Sequence, residues 1–361
     1  MASGASSVAP RVDRALVPRL SLVEPRVSVV LVSFNSGGAL LRCLATIDQE
    51  GESVDEIVIV NNGLDAPELE IAARSPRVRL LTSEGNIGFG AGCNLGAEAA
   101  SGDVLVFLNP DTVAMPGAVA ELVRTLDDDS IGIAMARVRL LQEPDLLNSC
   151  GNVIHISGLG WSEGYGDPAG APGATRDVAS PSGAAMAIRR DDFDRAGGFR
   201  GELFLYHEDQ DLGWRMRMLG RRIVMNPRAD IYHEHDFDRH ERKRYYLERN
   251  RLAFVFLDFS LRTLIVLLPV LVAAELSMLL LSARQGWLRE KLAGSAWFVR
   301  NLPRLLRLRR ETQRLRVVPD RELVTALTPL IDTAEIPVPG LVRRVVNPLL
   351  AGYWSLARRA I

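Results

Sequence analysis

The chain has 361 residues, of which 47% are hydrophobic and 24% are charged, a globular composition that allows one large domain and an appendage. Its 43 basic and 44 acidic side chains nearly cancel, which argues against bulk affinity for nucleic acid. The three cysteines, Cys43, Cys93 and Cys150, have no CxxC spacing. This argues against a disulfide framework or a zinc cluster and fits a reducing cytoplasm.

Residues 1–25 are rich in Ala, Ser, Pro and Arg and lack an apolar segment, so we expect a disordered tail and no signal peptide. Strands and helices then alternate four times. The strands are predicted at 26–35, 55–63, 77–83 and 103–109, with helices between them at 38–49, 68–75 and 90–101. This alternation predicts an α/β fold with right-handed βαβ units around an open, mostly parallel sheet flanked by helices. Ligands of such sheets bind beyond the carboxyl ends of the strands.

The pattern is less regular from 115 to 180, where GLGWSEGYGDPAGAPGAT (158–175) predicts a mobile loop. It sharpens again over 180–235. There we predict a short strand, a helix, an acidic cluster, a second helix at 211–219 and a last strand at 222–225.

The stretch VLVFLNPDT places Asp111 just beyond the fourth strand, in a turn stiffened by Pro110. An N-cap or an Asx turn would explain this carboxylate without any chemistry. The functional alternative is a ligand for Mg²⁺ or Mn²⁺, assisted by Asn109 and completed by substrate phosphates. The later stretch IYHEH offers His233 and His235. A lone histidine is more often structural, but an imidazole beside a carboxylate-bound metal would complete a mixed coordination shell.

The stretch YHEDQDLGWR holds Glu208, Asp209 and Asp211 within four residues. Three close carboxylates raise the pKa of at least one of them, which suits a general base. A solvated helix start is the structural alternative, because acids favour helix N-termini. The flanking aromatic residues, Trp214 among them, favour a partly buried functional site.

The stretch EGNIGFGAGCNLG (84–96) is a glycine-rich turn that opens a helix. Such a turn lets backbone N–H groups and the helix N-terminus approach a phosphate. It lacks the GxGxxG spacing of a dinucleotide fingerprint and follows the third strand instead of the first, and the chain has no Walker A sequence. By itself this motif is weak.

Together these residues resemble the inverting GT-A glycosyltransferases of family 2, most closely the bacterial rhamnosyltransferase-like branch. The resemblance covers about residues 27 to 240. It is carried by VSVVLVSFN, NIGFGAGCNLG, LNPD, the segment SGAAMAIRRDDFDRAGGFRGELFLYHEDQDLGWRMRMLG and ADIYHEH. The ordered set is specific, whereas no single member is.

The resemblance implies metal-dependent, inverting transfer of a sugar from a nucleotide-diphosphate sugar to a hydroxyl of a lipid-linked or cell-envelope glycan. It favours L-rhamnose from dTDP-rhamnose, with UDP-hexoses open. It implies Asp209 as catalytic base and Asp111 and His233 as ligands of Mg²⁺ or Mn²⁺. The implied donor-binding residues are Ser33, Asn35, Asn61, Asn86, Gly88, Asn94, Asn109 and Asp111, and the implied acceptor-side residues are Gly183, Glu208 and Trp214.

Two positions depart from the family pattern. Asn109 replaces the usual first acid of the DxD metal motif, which leaves one carboxylate at the metal. Asn61 replaces the aspartate often found after the second strand, and an amide can donate a hydrogen bond where an acid cannot. The choice of nucleobase therefore stays open.

Residues 26–245 are assigned to the GT-A domain and 246–361 to a helical, membrane-associating region that is first apolar and then basic. Residues 263–283 hold one ionisable side chain, Glu275, and are long enough to cross a bilayer. Residues 284–316 hold ten Arg or Lys against two Asp or Glu, so a single crossing would export the most basic part of the chain.

We therefore expect peripheral or re-entrant attachment to the cytoplasmic side of the cell membrane. Phe298, Leu302, Leu305 and Leu308 share a helical face, and the arginines of this stretch lie largely elsewhere. This pattern predicts a basic amphipathic helix on an anionic leaflet. The alternative is a helix that packs on its own protein.

Two rival functions remain at this stage. A nucleotidyltransferase also uses an α/β nucleotide fold and Mg²⁺, but SFNSGG near the first strand has no basic residue for a triphosphate. A non-catalytic membrane scaffold with the same fold would not need Asp111, Asp209 and His233. Donor-nucleotide hydrolysis with and without Mn²⁺ separates the three functions.

Overall fold

The computed structural model describes residues 24–234, 242–335 and 338–361. Most of the predicted tail and His235 lie outside the described residues. The first half of the chain follows the predicted alternation. In order, its elements are β1 (Val27–Ser33), α1 (Gly38–Asp48), β2 (Glu56–Asn61), α2 (Pro67–Ala72), β3 (Val78–Thr82), α3 (Phe89–Ala99) and β4 (Val104–Leu108).

These four strands form a parallel sheet in the order β3, β2, β1, β4. All seven residues of β1 are buried. One hydrophobic cluster fills one face of the sheet with α1 and α2, and a second cluster fills the other face with α3. Strands covered on both faces need apolar side chains on both, which explains their continuous apolar runs.

The sheet continues through the second half of the chain with mixed strand directions. In order, the elements are β5 (Thr112–Ala114), α4 (Ala118–Thr125), β6 (Ile131–Leu140), β7 (Leu147–Ser149), β8 (Asn152–His155), β9 (Gly160–Ser162), β10 (Arg176–Asp177), β11 (Ala185–Arg189), α5 (Arg190–Ala196), α6 (Glu208–Met218) and β12 (Arg222–His233). β11 lies antiparallel between β4 and β6, and β12 runs parallel to β6. The α/β fold is therefore confirmed, with its parallel half first.

Two of the boundaries that differ from the prediction affect the site. β12 extends to His233, well beyond the predicted end at 225, because a register shift between Asn226 and Asp230 accommodates Pro227 and lets pairing resume. α6 begins at Glu208, so the acidic cluster forms the first turn of the helix.

The C-terminal region is helical, as predicted. Its elements are α7 (Lys243–Asp258), α8 (Leu261–Gln285), α9 (Leu288–Arg300), α10 (Leu302–Arg314), α11 (Asp320–Leu323), β13 (Leu327–Thr328) and α12 (Asn347–Ala357). The predicted domain boundary at 245 falls inside α7, which packs against α6. In the described ranges, α8 alone is long and apolar enough to cross a membrane, by length and composition.

The predicted amphipathic membrane helix is corrected by the structure. Its residues belong to two helices, α9 and α10, which meet at Asn301. Leu305 is buried in a cluster with Leu203 and Leu257, and Phe298 and Leu308 pack against the same cluster. The apolar face formed by α9 and α10 is therefore covered by α7, because it packs against apolar side chains of α7.

Candidate active site

The turn after β4 brings the predicted metal residues together. The Asn109 carbonyl accepts hydrogen bonds from the N–H and Oγ1 of Thr112, at 3.2 and 2.7 Å, and Asp111 is buried in this turn. β5 pairs antiparallel with the end of β12, with Thr112 opposite His233. His233 Nε2 consequently lies 3.3 Å from Asp111 Oδ1 and 3.3 Å from Asn109 Nδ2.

A buried amide, Asn148, orients the histidine from behind. Its Oδ1 lies 3.0 Å from His233 Nδ1. An amide oxygen only accepts, so this contact requires a proton on Nδ1, and that tautomer would leave the Nε2 lone pair for a metal ion. Partners of this kind fix the tautomer of metal-binding histidines and raise their basicity. Asn148 lies in the irregular stretch of the sequence and belongs to no motif, so its role was not predicted.

These donors fit a divalent cation that is only partly held by the protein. Asp111 and His233 supply a carboxylate oxygen and an imidazole nitrogen, and the Asn109 amide can rotate to offer its oxygen. Among residues 24–234, 242–335 and 338–361, no group of three or more His, Cys, Asp or Glu side chains could hold a metal ion. The remaining ligands would have to be oxygens of a bound substrate or water.

Asp209 lies at the start of α6 and keeps partial access to solvent. Its Oδ2 accepts from Gly183 N–H at 2.9 Å and from Asn152 Nδ2 at 3.3 Å. The surrounding protein removes most of the carboxylate's hydration and raises its pKa, and the hydrogen bond from Gly183 only partly offsets this rise. The carbonyl oxygen of Ala184, the residue after Gly183, accepts a hydrogen bond from Asn109 N–H at 2.9 Å. The predicted base and the predicted metal turn are thus attached to adjacent residues of one segment.

The other two acids of the cluster have different surroundings. Glu208 is buried, and burial together with the Asp209 carboxylate holds its pKa well above its usual range. Asp211 is also buried, but Arg200 and Arg215 bind it and outweigh the effect of burial, so its pKa falls to about 2. Of the three, only Asp209 combines a raised pKa with access to solvent, and Asp211 is part of a buried ion pair.

The glycine-rich turn joins the start of α3 to the loop before α6. Gly88 has a φ of 87°, and a Cβ atom there would lie 2.5 Å from the Phe204 carbonyl oxygen. Gly88 N–H donates to Asn86 Oδ1, and Phe89 N–H donates to the Phe204 carbonyl, both within 2.9 Å. These two N–H groups are therefore used within the protein. The glycines permit close contact between the two loops, a role that the phosphate interpretation did not anticipate.

The loop that precedes Asp209 has an unusual backbone. Phe204, Tyr206 and His207 have φ values of 65°, 67° and 67°, a backbone conformation that residues other than glycine rarely adopt. Asn250 of α7, fully buried, donates from Nδ2 to the carbonyls of Leu203, Leu205 and Tyr206 at 2.7–2.8 Å. We call residues 203–207 the base loop. The C-terminal region therefore supports the backbone of the predicted catalytic residue, which the sequence did not suggest.

Three predicted donor residues lie at the carboxyl edge of β1 and β2. Ser33 is buried at the end of β1. Asn35 has a φ of 53°, and its side-chain oxygen accepts from Leu64 N–H at 3.1 Å. Asn61 accepts from Gly63 N–H at 3.0 Å. These amides shape the loops at the sheet edge where a nucleotide is expected to bind.

Two predicted site residues have structural positions instead. Asn94 uses both ends of its amide on the backbone of Phe199, at 2.7 and 2.8 Å, which leaves it poorly placed for a diphosphate. Trp214 is 1% exposed and donates from Nε1 to the Asp258 carbonyl in α7. The prediction of an acceptor contact at Trp214 is wrong, because α7 covers this face of α6.

Comparisons with known proteins show which proteins the chain is similar to. A family model described as Glycosyl transferase family 2 matches residues 28–197. An N-acetylglucosaminyl-diphospho-decaprenol L-rhamnosyltransferase of Mycobacterium tuberculosis is 28% identical over 236 residues, which cover 57% of this chain and 75% of that protein. The O-antigen biosynthesis protein RfbC of Myxococcus xanthus is 28% identical over 60% of this chain and 18% of its own length.

The fold has a solved counterpart in GalNAc-T7, crystallised with UDP, GalNAc and Mn²⁺. The TM-score is 0.55 at 17% identity, over 64% of this chain and 48% of that one. The chain thus spans about half the length of that structure, and the likeness confirms the GT-A fold.

Proposed function

Because the chain carries a glycosyl transferase family 2 domain and is a glycosyltransferase, we propose that it transfers a sugar from a nucleotide-diphosphate donor to a hydroxyl group, with inversion at the anomeric carbon. The observation that carries this proposal is Asp209. Its carboxylate has a raised pKa and accepts a hydrogen bond from Gly183 N–H. The residue after Gly183, Ala184, contacts the metal turn at Asn109. The nucleotidyltransferase and scaffold alternatives are set aside.

In the proposed reaction Asp209 acts as the general base. A sugar hydroxyl is a poor nucleophile, and a carboxylate within hydrogen-bond reach removes its proton as the new bond forms. Gly183 N–H and Asn152 Nδ2 donate to Oδ2, and Gln210 N–H donates to Oδ1 at 2.7 Å, so Oδ1 keeps one lone pair for the acceptor hydroxyl. The raised pKa makes the carboxylate a stronger base than an ordinary aspartate.

We propose that Asp111 and His233 hold Mg²⁺ or Mn²⁺, with Asn109 beside them. When bound, such a cation neutralises the negative charge that grows on the nucleotide-diphosphate leaving group. Asn148 keeps the Nε2 lone pair of His233 directed at this position. The single carboxylate makes the site dependent on the donor's phosphates, so we expect metal and donor to bind cooperatively.

The proposed substrates are dTDP-L-rhamnose and a lipid-linked or cell-envelope glycan acceptor. Resemblance to the rhamnosyltransferase-like branch and the name of the mycobacterial relative support this choice. The donor is tested by incubating the purified protein with nucleotide sugars and a polyprenyl-diphosphate-linked acceptor, with Mn²⁺, Mg²⁺ or EDTA. Release of dTDP that needs both acceptor and metal supports the proposal. Release of pyrophosphate, or no release from any nucleotide sugar, would contradict it.

The metal residues have a separate test. Asp111→Ala should weaken nucleotide binding in the presence of Mn²⁺ and leave the weak metal-free binding unchanged, as measured by calorimetry. Arg42→Ala is a suitable control, because Arg42 pairs with Glu234 at the surface nearby. If Asp111→Ala binds the metal–nucleotide complex as well as the unmodified protein does, Asp111 is not a ligand.

A further inference from the structure

α8 presents a continuous aliphatic stripe to the outside of the molecule. Six side chains spaced three or four residues apart share this face and are 41–67% exposed: Leu261, Ile265, Leu268, Val272, Leu276 and Leu279. The opposite face, with Leu267 and Val270, is buried against the protein. Exposed apolar stripes of this length are uncommon on soluble monomers and mark contact surfaces.

A second apolar stripe lies on the helix beside it. The Tyr353 hydroxyl donates to the Val266 carbonyl and Arg262 donates to the Ala360 carbonyl, so α12 packs antiparallel along the first half of α8. The outward apolar residues of α12 and of the helical turn that leads into it are 46–68% exposed: Leu341, Val345, Leu349 and Leu356. We call the two stripes together the α8–α12 face.

Exposed arginines stand at the ends of both helices, namely Arg262, Arg284, Arg343, Arg344, Arg358 and Arg359. Asp332 lies 3.7 Å from Arg343 at the surface, and residues 338–361 contain no acid. A second copy of the chain would bring like-charged rims together across a two-fold interface, which is unfavourable. An anionic lipid surface matches both the apolar stripe and the positive rim.

The one acid of α8 shows how the helix is oriented. Glu275 lies at the edge of the stripe with its side chain 35% exposed, and its carboxylate contacts Arg251 of α7 and lies 2.6 Å from Lys291 Nζ of α9. Both cations are about 2–3% exposed. A helix that crossed a bilayer would withdraw Glu275 from these buried cations, which is costly. α8, about 37 Å long, is therefore fixed side-on along the molecule.

We propose that the α8–α12 face seats the enzyme on the anionic surface of a bilayer, with α8 lying in the membrane plane and not spanning it. This goes beyond the proposed sugar transfer and does not depend on it. The apolar stripe enters the region between headgroups and acyl chains, and the arginines contact the lipid phosphates.

The test is co-sedimentation of the full chain with vesicles of phosphatidylcholine alone and of equal parts phosphatidylcholine and phosphatidylglycerol, without donor or acceptor. We expect binding to the anionic vesicles, reduced roughly tenfold or more in Leu268→Gln/Val272→Gln/Leu276→Gln. The control is Leu64→Gln/Ile71→Gln, which removes equally exposed apolar side chains from α2 and the loop before it. Equal binding by the two variants, or no binding by the unmodified protein, overturns the proposal.

A second measurement tests the orientation. Arg262→Cys and Arg284→Cys place a thiol near each end of α8, and a membrane-impermeant maleimide is added outside sealed vesicles that carry the protein. The unmodified protein sets the background, because Cys43 and Cys93 are buried and Cys150 is partly buried. Labelling of both ends supports an in-plane helix. Protection of one end only shows a spanning helix and overturns the proposal.

Discussion

Replacing Asn250 with alanine should slow catalysis without weakening donor binding. Asn250 makes three hydrogen bonds to the carbonyls of the base loop, from a fully buried position in α7. That loop holds three residues with positive φ, each of which costs about 1–2 kcal/mol. The bonds from Asn250 therefore offset backbone strain next to Asp209.

The magnitude follows from these contacts. The Asn250 NH₂ group has two hydrogens for the three carbonyls, and a hydrogen bond contributes about 1 kcal/mol net, so its removal destabilises the native base loop by about 2 kcal/mol. Without this contribution the backbone strain of the three residues is less well offset, so the loop should relax towards ordinary φ values in much of the population. We expect kcat to fall by about one to two powers of ten. The donor KM and metal-dependent nucleotide binding should change little, because Asp111 and His233 lie on other elements.

The assay compares kcat, donor KM and nucleotide affinity for Asn250→Ala and Asn347→Ala. The second variant is a matched control, because the buried Asn347 side chain also binds backbone, at Ile331, with hydrogen bonds of 2.9 and 3.1 Å. Both variants should lose thermal stability, and only Asn250→Ala should lose kcat. Equal loss of kcat in both variants, or loss of nucleotide affinity in Asn250→Ala, would refute a positioning role for Asn250.

Three further predictions concern the site itself. Asp209→Asn should reduce turnover by about 10²–10⁴ while nucleotide binding persists. The activity of the unmodified enzyme should rise with pH through a pKa above the usual aspartate range, because the base must be ionised to act. Near-normal turnover of the variant, or a pH profile whose acid limb lies at ordinary aspartate values, argues against this role. Asn148→Ala should weaken Mn²⁺-dependent nucleotide binding by about 10–100-fold in calorimetry, since His233 loses its fixed tautomer, and unchanged affinity would exclude that function. Gly88→Ala should lower both the melting temperature and kcat, because its Cβ would contact the Phe204 carbonyl, and an unchanged melting temperature would show that the two loops separate freely.

Local sequence pattern was enough to predict the first half of the fold. Strands such as Val27–Ser33 are apolar along their whole length because helices cover both faces of the sheet, and this property is visible in any short window. The edge at which ligands bind follows from strand direction alone. Asn35, Asn61 and Asn109 could therefore be placed at one edge before any contact was known.

Side-chain packing decided the chemistry of the acidic cluster. Glu208, Asp209 and Asp211 look alike in sequence, but Arg200 and Arg215 neutralise only Asp211. The pKa of a carboxyl group depends on the charges and water within a few ångströms, and these are set by packing. The same reason explains Trp214, whose aromatic ring suits a binding cleft or a core equally well until α7 covers it.

The sequence by itself determined the family resemblance, the order of the βαβ units and the candidate base and metal residues, because these depend on short patterns and on strand ends. Only the tertiary structure decided which apolar helical face meets solvent. The stripe that includes Phe298 and Leu305 packs on α7, while the stripe that includes Leu268 and Leu276 remains exposed. Hydrophobic periodicity shows that a helix has an apolar side, but the partner of that side is fixed by the shape of the surrounding protein.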